Sequence, residues 1–130
     1  MNVLQITIPG VAPSVNHMYE DKWIRGRKYR VHSKDAEVWM YSVSLLAKQQ
    51  AKQIGWQMAQ KGEKVVVELR IFHPDHKQRD ADNMFKALQD ALEGVVYEDD
   101  RYALPRVMDI QVDKGNPRIE VRCYRLEESA

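Results

Sequence analysis

Only one cysteine, Cys123, occurs in the 130 residues. No internal disulfide can form, so the fold must be held by packing, as suits a reducing compartment. No stretch approaches the roughly 20 consecutive apolar residues that a membrane-spanning helix needs. The opening Met1-Asn2-Val3-Leu4-Gln5 lacks the basic start and apolar core of a signal peptide, so a cytoplasmic location is expected. The glycines are few and scattered, and none forms a phosphate-cradling loop. There is no Ser-His-Asp order and no zinc-finger spacing, which argues against those modes of hydrolysis and binding. An excess of one charge is missing too: 20 Lys and Arg stand against 19 Asp and Glu.

The charge that is present is segregated. From Lys22 to Lys34 the chain has six basic residues and no acid, while Asp80 to Asp100 holds seven acids and one basic residue, Lys86. Lys22, Arg25, Arg27, Lys28 and Arg30 are thus candidates for a phosphate-binding surface, joined by Arg79, with a cation site nearby. Two solvated faces would give the same counts.

The hydrophobic pattern describes one α+β domain over residues 1–130, a mixed sheet with two main helices. Residues 3–8 alternate as a strand, and Val11 to Tyr19 reads as an ordered loop. Trp23 to Val31 forms a hairpin about Gly26. Ser33 caps a long helix whose stripe runs from Trp39 to Met58, with Gly55 as a possible interruption and Lys61-Gly62 as its end. Lys64 to Phe72 is the strongest strand, apolar in part on both faces. A second helix covers about Asn83 to Glu93, with Phe85, Leu88 and Leu92 inward and Gly94 as its cap. Val95 to Glu98 reads as short and extended. Val107 to Lys114 and Arg118 to Leu126 are expected as a closing hairpin about Gly115-Asn116-Pro117, with Cys123 on the buried phase.

Chemistry concentrates in Arg79-Asp80-Ala81-Asp82-Asn83-Met84-Phe85-Lys86, followed by Asp90 and by Glu98-Asp99-Asp100. Asp80 and Asp82 point the same way along extended chain. Asp82, Lys86 and Asp90 follow at four-residue steps and share one helical face. A hard divalent cation relieves the mutual repulsion of such carboxylates. Magnesium takes one to three of them and keeps room for phosphate oxygens. Lys86 would offset charge developing on the phosphate.

Asp80-x-Asp82-Asn83-x-x-Lys86, then Asp90-Ala91-Leu92, then Asp99-Asp100, resembles the signature of RusA-type Holliday junction resolvases. Pro13-Ser14-Val15-Asn16 and Lys114-Gly115-x-Pro117 are similar to that family's N-terminal and C-terminal motifs. The resemblance implies a small homodimeric, magnesium-dependent endodeoxyribonuclease that makes paired nicks in four-way junctions during recombination and repair. It also implies that Asp80, Asp82 and Asp100 bind the metal and, with Lys86, are catalytic. Asp99 is the alternative to Asp100 if the register differs by one. Ala81, and Arg101-Tyr102 after the acidic pair, depart from the family's usual residues. Two other classes remain at this stage: a branched-DNA-binding protein without cleavage, and a magnesium phosphohydrolase of small esters.

Other residues read as structural. His73 and His76, three apart without a second cluster, are expected to be surface residues. His17 and His32 show no partner signature. Tyr19, Trp23 and Tyr29 are expected to pack against a sheet more than to stack on bases.

Overall fold

The computed structural model describes residues 2–13, 19–77 and 81–126, with the backbone alone at 81–83. Its elements are β1 (Leu4–Pro9), β2 (Tyr19–Ile24), β3 (Arg27–His32), α1 (Lys34–Ile54), β4 (Val65–His73), α2 (Ala81–Leu92), a 3-10 turn (Asp100–Tyr102), β5 (Ala103–Val112) and β6 (Arg118–Arg125). Four strands make one sheet in the order β1-β6-β4-β5, and β2-β3 form a separate two-stranded sheet. β6 runs antiparallel to both β1 and β4, whereas β4 and β5 are parallel. The mixed sheet and two helices form the α+β domain that the hydrophobic pattern implies.

Alternation explains the core. Leu4, Ile6 and Ile8 of β1 are buried while Gln5, Thr7 and Pro9 between them are exposed. Val65, Val67, Leu69 and Ile71 of β4 and Ile119, Val121 and Cys123 of β6 continue that apolar face. The helices supply Ala36, Trp39, Val43 and Ala47 from α1, and Met84, Ala87, Leu88, Ala91 and Leu92 from α2. Each fully buried aliphatic side chain contributes about 1.5–3 kcal/mol relative to exposure. Burial also pushes the Cys123 thiol up to about 12, so it stays protonated and inert. Across the sheet, Glu68 is nearly buried, accepting hydrogen bonds from the Tyr124 hydroxyl at 2.8 Å and Arg122 Nη1 at 3.4 Å.

Four expectations are corrected. α1 ends at Ile54, because Gly55 takes a left-handed conformation (φ 68°) and donates its N–H to the Ala51 carbonyl. Met58 therefore lies beyond the helix. β5 and β6 are not a hairpin: β4 lies between them, pairing with one on each side. Phe85 is only half-buried, and the inward face of α2 is carried by Met84, Ala87, Leu88, Ala91 and Leu92. Residues 94–96 form a turn, not an extended segment. Of the expected loop from Val11 to Tyr19, residues 14–18 lie outside the described residues, so Ser14, Asn16 and His17 are not placed.

Candidate functional site

The acids of the second half are gathered by the chain's return after α2. Gly94, at φ 86°, turns it back. Three hydrogen bonds then fasten 96–98 to the segment that follows α1. Trp56 Nε1 and the Ala59 amide both donate to the Val96 carbonyl at 3.0 Å, and the Glu98 amide donates to the Ala59 carbonyl at 2.8 Å. Tyr97 is buried, and its hydroxyl donates to the Gln89 carbonyl at 2.7 Å. Burial foremost, then Cys123 and the carboxylates of Asp100, Glu93 and Asp90, hold the Tyr97 phenol well above its ordinary range. It remains a neutral donor that ties the return segment to α2.

The result is that Asp100 meets Asp90 and Glu93. Each offers a carboxylate oxygen, and the three oxygens lie within 4.8 Å of one another. Asp90 and Asp100 are half-buried and Glu93 is exposed. All three stand at the C-terminal half of α2, where the helix dipole disfavours negative charge, and no basic residue occupies its last turn. Three hard oxygen donors in such a field fit magnesium or calcium far better than a soft metal. Asp99 is used differently: its carboxylate caps the 3-10 turn, accepting from the Arg101 amide at 2.9 Å.

Asp80 and Arg79 lie outside the described residues. Asp82 falls in the first turn of α2, of which the backbone alone is described, so it is helical and the expected extended chain does not reach it. At the rise of an α-helix, Asp82 and Asp90 are separated by about 12 Å along the axis. Lys86, between them, is exposed. Asp90 was already visible in sequence as the third member of a four-residue series. Glu93 was missed, although its spacing of three from Asp90 puts both on one side of a helix.

The basic residues sit apart from this cluster along the chain, on the hairpin. Lys22, Arg25, Arg27, Lys28 and Arg30 are all exposed. Ile24 pairs with Arg27, and the two residues between them, Arg25 and Gly26, both have positive φ (51° and 77°). That is the geometry of a type I′ turn, whose twist suits the strands it joins. Lys28 pairs with Asp21 at 3.3 Å, and the Arg30 guanidinium lies over the Tyr19 ring, 4.5 Å from its centroid.

The expected packing of the hairpin aromatics is corrected: Trp23 is 68% exposed and Tyr29 44%. Tyr19 is the one of the three with a ring contact among the described residues, stacked on His32 with ring centroids 5.0 Å apart. His32 was read as having no partner, yet its Nε2 lies 3.5 Å from Asp90 Oδ2. No sequence signal links residues so far apart in the chain. His73 and His76 are half-buried or exposed at the rim of an open depression with Asp75 and Lys77, and they join no metal-ligating group among the described residues.

Among the described residues no helix is long and apolar enough to cross a membrane. A family model described as Endodeoxyribonuclease RusA matches residues 9–124. No curated protein matches the chain.

Proposed function

This chain belongs to the RusA endodeoxyribonuclease family, and from that premise we propose that it is a magnesium-dependent resolvase of four-way DNA junctions, cutting as a homodimer in the cytoplasm during recombination and repair. The observation that carries the reading is the meeting of Asp100 with Asp90 and Glu93 in a chain that also displays a basic hairpin. A phosphodiester is attracted by the second feature and is hydrolysed with help from a cation held by the first.

In this proposal Asp100 holds a cation beside Asp90 and Glu93, and Asp80 and Asp82 hold a cation at the other end of the same face, Asp82 lying about 12 Å along the α2 axis from Asp90. A bound divalent cation supplies Lewis-acid polarisation of the scissile phosphate and charge neutralisation. The chain's own residues do the rest. Lys22, Arg25, Arg27, Lys28, Arg30 and Arg79 bind the DNA backbone. Lys86, exposed on α2 between Asp82 and Asp90, balances negative charge that grows on the phosphate. Two like strands of a junction must be cut, and a two-fold pair of sites matches that symmetry.

The test is cleavage of a synthetic mobile four-way junction beside a matched linear duplex, with magnesium and with chelator. The junction should be nicked in paired strands only when magnesium is present. Equal cutting of the linear duplex would remove the structure selectivity, and cutting in chelator would remove the metal. Sedimentation equilibrium of the free protein and of its junction complex should give twice the mass of one chain. A monomer that still makes paired nicks would end the dimeric part of the proposal.

A further inference from the structure

The hairpin and the acidic cluster meet at one point. Among the described residues β2 and β3 pair with each other and with no strand of the main sheet. Nearly all of their side chains are exposed: only Tyr19, Val31 and His32 are even partly covered. A two-stranded ribbon of this kind has little intrinsic stability or fixed orientation of its own. Its orientation must therefore be set at its base. There Tyr19 and His32 are cross-strand partners, their rings stack, and the Arg30 guanidinium lies over the Tyr19 ring. His32 then presents Nε2 to the Asp90 carboxylate at 3.5 Å, while its Nδ1 is buried without a hydrogen-bond partner among the described residues. Asp90 is a member of the trio with Glu93 and Asp100.

We infer that His32 is a positioning residue, seating the basic hairpin on α2 so that DNA gripped by the hairpin is delivered to the acidic cluster. The inference rests on the nuclease reading above for its catalytic consequence, though the seat itself does not. The side chains that grip DNA are on the β2–β3 hairpin and those that cut it are on α2 and the 3-10 turn, so affinity alone does not place a scissile phosphate. A misplacement on the order of 1 Å between reacting groups can cost about 10²-fold in rate. Through the Tyr19–His32–Asp90 contacts, the hairpin's angle is fixed relative to Asp100. Lys22, Arg25, Arg27 and Lys28 take no part in that seat, which among the hairpin's basic side chains engages Arg30 over Tyr19, so grip and delivery are separable at those four.

The experiment compares wild type, His32→Ala and His32→Gln, the last because its amide can reach the Asp90 carboxylate. Junction affinity is measured without divalent cation, single-turnover cleavage with saturating protein and magnesium, manganese binding by electron paramagnetic resonance, and amide exchange across residues 19–32. The expected result for His32→Ala is a cleavage rate lowered about 10- to 100-fold, with junction and manganese affinities within about twofold of wild type. Amide exchange should rise at the base of the hairpin and stay unchanged in α2, and His32→Gln should recover much of the rate. Wild-type cleavage by His32→Ala would overturn the inference. So would a loss of manganese affinity, or a deficit that vanishes as protein concentration is raised. If the wild-type chain cuts no junction, the functional reading falls on its own, and the seat is still decided by exchange: unchanged protection at 28–32 in His32→Ala overturns it.

Discussion

In the four-stranded sheet Val65, Val67 and Leu69 are fully buried, whereas every residue from Asp21 to Arg30 in the hairpin is exposed. The sheet and its helices are held by removal of apolar surface from water, which makes them rigid enough to carry side chains at fixed separations. The hairpin is held by its ladder, a type I′ turn and contacts at its base. Such a ribbon leaves its arginines and lysines exposed to solvent, so their charge reaches outward at little desolvation cost. One region suits chemistry that depends on placement; the other suits capture of a long polyanion.

The largest effect expected from this contrast is at Asp100. Asp100→Asn should lower junction cleavage by at least about 10²-fold, the scale of losing a positioned electrostatic group, while junction affinity is kept or raised. Asp99→Asn should be milder, because its carboxylate serves a local turn. Gel-shift and single-turnover assays on the same preparations separate the two quantities. A reversal of the two variants would move the cation ligand to Asp99.

Stability should divide along the same line. Leu88→Ala, at a fully buried position of α2, should cost about 2–5 kcal/mol in denaturant unfolding. Trp23→Ala, on the exposed hairpin, should stay within about 0.5 kcal/mol. A large loss from Trp23→Ala would mean that the hairpin is packed against something, and the contrast between regions would fail.

A third test addresses capture. Neutralising Arg27 and Lys28 together should reduce the slope of log affinity against log salt by up to about 0.9 for each phosphate contact removed. An unchanged slope would place the hairpin away from DNA.

At ordinary pH the last effect is silent, and it appears only in alkali. The buried Cys123 thiol keeps its proton to about 12, while in the unfolded chain it ionises near 9.0. Above the lower value the unfolded state binds fewer protons than the folded one, so stability should fall as pH rises from about 9 towards about 12. Cys123→Ala should flatten that part of the stability profile, measured by denaturant titration. In the folded protein at neutral pH, Cys123 should react with a thiol reagent only as fast as the chain opens.

Much of this was legible in sequence because local rules decided it. Alternation in β1 and β4, the Ser33 cap and the inward phase of Cys123 each depend on neighbours within a few residues. The end of α1 was read too far along because the apolar stripe continues to Met58, while the backbone of Gly55 had already taken the left-handed turn. The supposed β5–β6 hairpin failed for a different reason: its short Gly-Asn-Pro connection looks like a tight turn, but strand order is settled by which faces can be buried. At the site, Asp90, Lys86 and Asp100 were visible as residues worth noting. That His32 would meet Asp90, or that Trp56 would fix the turn leading to Asp100, follows only from contacts distant in the chain.

The position of β6 has a consequence for how the molecule comes into being. It is the last strand of the sheet to emerge during synthesis, yet it occupies an interior place, with β1 on one side and β4 on the other. Until it arrives, the earliest strand has no neighbour in the sheet and β4 has one open edge. The nascent chain must therefore hold these edges unpaired until β6 is made, and the sheet then closes in a step that joins its first and last strands. Such distant pairing is slow compared with helix formation. During that interval the apolar faces of β1 and β4 are what a chaperone, or another unfinished copy, would encounter.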